Sequence, residues 1–238
     1  MIRTILSALI ALSCATSFAQ EIQSPWSGDA ELGFLASEGN TDAKSITANG
    51  ALIWEKGTWK NNSELSALNS KSAGVRSAEK YFFSNRLAYT FSPDNYTFGY
   101  LSHEVDRFSG YKYKGTVAFG YGRRLINRET MLWDAEIGPG YRRAELSADA
   151  AGDDEEEGIL RLFSSFRWDI SPTATFEQKI SVESGDENTV SKSTTSLKTT
   201  VAGGIGLKVA YLINYTENVP PGKVHADKQT TVTMVYSF

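Results

Sequence analysis

From Gly28 to Phe238 the side chains alternate with a period of two, in segments mostly 10 to 14 residues long, and no stretch carries a convincing helical period. Strands of soluble proteins average ~5–6 residues. A tilted strand that crosses a bilayer needs ~9–11, plus an overhang. The alternation predicts twelve strands, at 28–37, 43–54, 59–70, 78–91, 96–107, 113–124, 130–145, 158–170, 174–184, 190–201, 205–216 and 229–238. One family of connections is short and rich in turn formers: Glu55-Lys56-Gly57-Thr58, Ser92-Pro93-Asp94-Asn95, Asn127-Arg128-Glu129, Ser171-Pro172-Thr173 and Gly203-Gly204. The other includes Lys71 to Ser77, Leu146 to Glu157 and Glu217 to Lys228, with shorter members near Glu38 to Asp42 and Gly185 to Thr189. Short turns at one end and longer loops at the other are the pattern of outer-membrane barrels. An even strand count brings both termini to the short-turn end.

The expected fold is therefore all-β: a transmembrane, antiparallel, up-and-down β-barrel of about 12 strands. A soluble β-sandwich alternates in the same way with its apolar face inward. Two features favour the inverted arrangement. Aromatic residues gather near strand ends (Trp54, Trp59, Tyr89, Tyr96, Tyr113, Trp133, Trp168, Tyr215 and Tyr236), as interfacial girdles require. The polar faces are rich in glycine and in charges of both signs, which suits a crowded lumen. Mean hydropathy is −0.30, a value that suggests solubility. Barrel strands escape that test because each is apolar on one face only.

Both ends of the chain point to export. Met1 to Ala19 reads as a secretory signal peptide, with Arg3 as its positive start, an apolar run from Ile5 to Leu12, and cleavage after Ala19 at Ser17-Phe18-Ala19. Cys14, the only cysteine, leaves with this leader. Ala11-Leu12-Ser13 before it fits a lipoprotein site poorly, so disulfides are not what holds the mature chain. Net charge is −4, becoming −5 when Arg3 is removed. Residues 20–27 are expected as a short periplasmic segment and 28–238 as one barrel domain. At the other end Val232, Met234, Tyr236 and Phe238 share a face opposite Thr231, Thr233 and Ser237, with Val235 the exception. Met234, Tyr236 and the terminal Phe238 resemble the signal read by the barrel assembly machinery.

Trp26-Ser27-Gly28-Asp29-Ala30-Glu31-Leu32-Gly33, Ser37-Glu38-Gly39-Asn40-Thr41-Asp42, Gly120-Tyr121-Gly122-Arg123-Arg124-Leu125, Gly138-Pro139-Gly140-Tyr141-Arg142, Asn218-Val219-Pro220 and the Tyr-Ser-Phe end carry a resemblance to a known family. They resemble the YdiY-like salt-induced outer-membrane proteins, catalogued as domain-of-unknown-function family 481. The resemblance covers Trp26 to Phe238 and implies a barrel in the outer membrane. It brings no catalytic residue and no ligand, and the salt association comes from it alone.

The residues carry little chemistry. His103 sits mid-strand, and its neighbours Ser102 and Glu104 point to the opposite face, so no local Ser–His–acid site forms. His225 falls in the last loop. Asp153-Asp154-Glu155-Glu156-Glu157 lacks the spaced ligands and turning glycine of a calcium loop and reads as a solvated run of like charges. No cofactor, metal site or catalytic residue is expected, and no basic module for nucleic acid appears. The expected partners are outer-membrane lipid, lipopolysaccharide and the assembly machinery.

The charges assigned to the lumen are Glu31, Lys60, Glu64, Arg86, Lys114, Asp134, Glu136, Arg142, Arg161, Arg167, Asp169, Glu177, Lys179, Glu183, Lys192 and Lys208. Their mixed signs suit pairing across strands or charge rings along a narrow path. Eight strands enclose a filled interior and 16–18 an open channel, so twelve leaves two readings. One is a structural or stress-associated envelope barrel whose lumen is largely filled by ion pairs. The other is a narrow passive pore for ions or small solutes. An outer-membrane lipid-modifying enzyme is the distant alternative.

Overall fold

The computed structural model describes residues 24–37, 43–148 and 154–238. These form twelve strands: β1 (Trp26–Ser37), β2 (Ala43–Lys56), β3 (Trp59–Ser72), β4 (Val75–Ser92), β5 (Asn95–Asp106), β6 (Tyr111–Arg128), β7 (Met131–Leu146), β8 (Glu155–Ser171), β9 (Ala174–Gly185), β10 (Thr189–Ala202), β11 (Ile205–Thr216) and β12 (Ala226–Ser237). Each strand pairs antiparallel with its neighbours in sequence, and β1 pairs with β12 to close the barrel. The chain is an all-β, up-and-down, transmembrane-type barrel. The seam ends on the last residue: Gly28 N–H donates to the Phe238 carbonyl at 2.9 Å, and Phe238 N–H donates to that of Gly28 at 3.0 Å.

The faces are inverted relative to a soluble protein. On β1 Leu32 is 64% and Phe34 70% exposed, while Glu31 between them and the seam is 7% exposed. On β6 Val117 and Phe119 point out at 55% and 67%, and Thr116 and Ala118 are buried. Soluble monomers rarely expose contiguous apolar patches beyond ~300–600 Å². Exposed apolar side chains occur on the outer face of every strand, although β10 also turns Ser191, Ser193 and Thr195 outward and β3 and β4 turn Asn61, Ser63 and Asn85 outward; a wall of this kind suits lipid. Val235, the odd residue of the terminal strand, faces inward and is 1% exposed.

All five turns at the terminal end have two residues, at 57–58, 93–94, 129–130, 172–173 and 203–204. The left-handed backbone at Gly57, Gly203 and Gly204 fits such tight hairpins. The other end carries loops 107–110 and 217–225 among the described residues. Four expectations need correction. Lys71 to Ser77 is not a long loop: β3 and β4 continue to a two-residue turn at Ala73-Gly74, with a bulge beside Lys71. β1 starts at Trp26, whose ring packs against Trp54 at 6.4 Å. Tyr96 is not part of the girdle but faces the lumen at 4% exposure. Glu155 to Glu157 belong to β8 rather than to a solvated loop. The leader with Ala19 and Cys14, the segment Glu38–Asp42 and Asp153 lie outside the described residues.

Candidate functional site: the lumen and its mouth

The inward residues pack the lumen unevenly. Against the β4–β8 wall it is packed. Glu136 (β7), with its side chain 0% exposed, receives Arg86 (β4) Nε–H at 2.5 Å and Arg161 (β8) Nη1–H at 3.3 Å. Tyr96 donates its hydroxyl to the same carboxylate at 3.1 Å. The Arg161 guanidinium lies 3.9 Å from the Tyr100 ring centroid and 5.0 Å from that of Phe163. Burying aromatic rings and cations together satisfies the charge while filling space.

Glycines on the facing strands create that room. A Cβ at Gly122 would stand 2.0 Å from the Tyr96 ring, and one at Gly138 would stand 2.0 Å from the Phe119 carbonyl oxygen. Gly122 thus leaves room for the Tyr96 ring to turn inward on β5, although the apolar-outward rule would aim it at lipid, while Gly120, Gly138 and Gly140 let the β6 and β7 backbones approach closely. Phe98 and Tyr100 face the lumen on the same side of β5.

Between β3 and β9 the lumen is looser, while on the seam side it is packed again at Val235 (1%), Thr233 (2%) and Ser196 (4%). Glu64 (β3) and Lys179 (β9) stand on walls six strands apart in a ring of twelve, yet Lys179 Nζ reaches Glu64 Oε1 at 2.6 Å. This bar across the lumen keeps 37% of the lysine and 43% of the glutamate side chain exposed. The inward neighbours Asn62, Ser66, Leu68, Glu177, Ser181 and Thr194 are also only partly buried. Nearer the seam, Lys208 pairs with Glu31 at 2.8 Å and Lys198 with Asp29 at 3.0 Å. At the turn end, Arg124 meets Asp134 at 3.2 Å, Arg167 meets Asp169 at 3.0 Å, and Lys60 meets Glu55 at 3.0 Å.

At the loop end, Lys192 and Lys80 converge on Glu104 at 2.7 and 3.3 Å. Lys114 lies 4.2 Å over the Tyr111 ring, and Thr116 donates to Glu183 at 3.1 Å. Arg142 and Glu157 form a buried pair that anchors the mouth. Glu157 accepts the backbone N–H of Glu187 at 2.7 Å, and Arg142 donates to the Asn188 carbonyl at 2.7 Å. Asn188, 2% exposed, donates to the Asn218 carbonyl at 2.7 Å and accepts its N–H at 2.9 Å. Lys223 then donates to the Phe108 carbonyl at 2.7 Å. Loop 217–225 is thereby tied to the 107–110 loop, and Val219, Val224 and His225 help line a cavity beneath it with Lys80, Lys114 and Lys192.

Of the charges expected in the lumen, Glu31, Lys60, Glu64, Arg86, Asp134, Glu136, Arg142, Arg161, Arg167, Asp169, Lys179, Glu183, Lys192 and Lys208 take part in the contacts above, Lys114 lies over the Tyr111 ring, and Glu177 is partly buried beside the bar. Asp29, Lys80, Glu104, Asp106, Glu155, Glu157, Lys198 and the ring of Tyr96 belong to the same interior and escaped the sequence reading. Some follow the parity of residues already assigned: Asp29 lies two steps from Glu31, and Lys198 six from Lys192. His103 points outward, its ring 5.4 Å from Tyr113, while Glu104 points inward. Among the described residues no group of three metal-binding side chains gathers.

Residues 30–238 match the family model "Protein of unknown function, DUF481". The chain is 31% identical over 215 residues to the uncharacterized protein YdiY of Escherichia coli (strain K12), spanning 90% of this chain and 84% of that protein. Among solved structures it is similar to the NanC porin, with a TM-score of 0.53 and 11% identity over 88% of this chain and 98% of that one. It is also similar to the translocator domain of the autotransporter NalP from Neisseria meningitidis, with a TM-score of 0.51 and 11% identity over 92% and 90%. These two likenesses concern the fold, which is that of outer-membrane barrels. By sequence, the chain belongs to the DUF481 family of proteins of unknown function.

Proposed function

We propose that this barrel sits in the bacterial outer membrane, exported by a cleaved leader, and holds a narrow passive path for water and small ions. The turn end faces the periplasm and the loop end faces outward. The observation that carries the reading is the contrast between two places in the lumen: 0–3% exposure at Glu136 and Arg161, against 37–43% at the Lys179–Glu64 bar. The packed surroundings exclude larger solutes, and a path past the bar lined by mixed charges favours small ions. His103 and His225 lack an oriented nucleophile, so no catalytic role is proposed.

A fully plugged structural barrel is the second reading, favoured by the loop 217–225 tied across the mouth. Planar-bilayer recording of the refolded protein separates the two. The pore reading expects small discrete unitary steps that grow in Lys179→Met, where the bar is gone. Membranes that stay silent for both proteins select the plugged barrel and overturn the pore.

A further inference from the structure

The outer wall of β3–β5 carries a surplus of positive charge just beyond the aromatic level at the loop end. Lys71 stands opposite Arg76 across the β3–β4 pair, and Lys44 of β2 stands opposite Lys71. Like charges directly opposite across strands destabilise a sheet. Lys71 is exposed, with no carboxylate partner among the described residues. Arg76 and Arg107 share one carboxylate, Glu79, which is 5% exposed beneath them. Among the described residues, Lys71, Arg76 and Arg107 thus stand around one acid. Glu79 holds the two guanidiniums side by side, with 48% and 63% of those side chains exposed. Along the same rim Lys112 is balanced by Glu145 at 2.6 Å and Arg143 by Glu156 at 3.1 Å.

Below the patch large apolar side chains stand outward, above a hydrogen-bonded cluster of Asn61, Ser63 and Asn85 nearer the turn end. Tyr81, Phe83, Leu65 and Leu101 point outward at 46%, 37%, 59% and 43% exposure. A ligand seated here meets cations at its head and hydrocarbon-compatible wall along its body, so it is an anionic amphiphile. Paired arginine forks match phosphate in geometry and charge. We propose that Lys71, Arg76 and Arg107 bind the phosphates of a phosphorylated glycolipid of the outer leaflet. The inference rests on the outer-membrane orientation proposed above. It is tested by binding in solution, whereas cell fractionation tests the location.

The experiment is native mass spectrometry of the refolded barrel in detergent, titrated with bisphosphorylated lipid A, the same lipid A stripped of phosphate, or inorganic phosphate alone. Each surface charge near an anionic head group contributes about a fivefold factor in binding. The Lys71→Gln/Arg76→Gln/Arg107→Gln variant is expected to lose about 100-fold in retention of bisphosphorylated lipid A. Lys71→Gln/Arg107→Gln leaves the Arg76–Glu79 pair in place and guards against misfolding, with an expected loss of about 25-fold. Lys56→Gln, at the opposite rim, is expected to bind as the parent does. Equal retention of dephosphorylated lipid A, or parent-like binding by both multiple variants, overturns the proposal. Inorganic phosphate displacing the lipid would overturn the lipid as the source and leave a simple anion site.

Discussion

Replacing Glu136 by leucine removes the anion on which the packed β4–β8 side of the lumen converges. The carboxylate is fully buried, and the guanidiniums of Arg86 and Arg161 that it holds have side chains only 15% and 3% exposed. Stranding one member of a buried pair costs about 3–5 kcal/mol. The Tyr96 hydroxyl loses its acceptor as well, worth about 1 kcal/mol. Arg161 keeps the Tyr100 face at 3.9 Å and Glu183 at 3.9 Å, which holds the sum near the low end, at about 4 kcal/mol. Lys179→Met serves as the comparison. It removes a pair of similar length, but one whose side chains keep 37% and 43% of their surface exposed, so water takes over the stranded Glu64. That loss is about 1 kcal/mol or less. Urea unfolding of the refolded barrel in detergent, followed by tryptophan fluorescence and by the heat-dependent gel shift of folded barrels, measures both. Costs that agree within about 1 kcal/mol would refute the contrast between the packed Glu136 cluster and the water-accessible Lys179–Glu64 bar.

Other perturbations probe separate parts of the account. Gly122→Val places side-chain atoms where the Tyr96 ring lies and is expected to cost about 1–3 kcal/mol in the same unfolding assay, whereas Gly50→Val, with open space around its Cβ position, should cost little. Asn188→Ala cuts the link to Asn218 and should make loop 217–225 an early site of limited proteolysis while the strands stay resistant. Phe238→Ala leaves the seam's backbone bonds in place but removes the terminal ring that packs on Tyr236 at 6.1 Å. If that ring is read during assembly, the variant accumulates unfolded in the periplasm while refolding normally from urea in vitro.

The architecture was legible because a barrel strand writes its two faces into local sequence. In β11 Ile205, Leu207, Val209 and Tyr211 stay on one side through the whole span, and no distant contact is needed to see it. Alternation does not say which face is inside when both are apolar. β5 shows this: Tyr96, Phe98 and Tyr100 compete with Leu101 and Val105, and Gly122 on β6 supplies space for the Tyr96 ring on the inner side. That information is non-local. The acidic run failed for a similar reason. Glu157 reads as solvated until Arg142, fifteen residues earlier, is seen opposite it in the β7–β8 register. Pairing across the lumen is further out of reach. Nothing in the sequence near Glu64 announces Lys179, because the partners come from opposite walls of a closed ring.

The central claim is that the apolar face meets lipid, and the native tryptophans report on it without any substitution. All five (Trp26, Trp54, Trp59, Trp133 and Trp168) lie on the outer face at the turn end of the barrel. In vesicles of lipid brominated along its acyl chains near the head group, their emission should be strongly quenched, less so with bromines near the bilayer centre, and scarcely by aqueous iodide. Emission indifferent to brominated lipid and quenched by iodide would put the tryptophans in water and contradict the account.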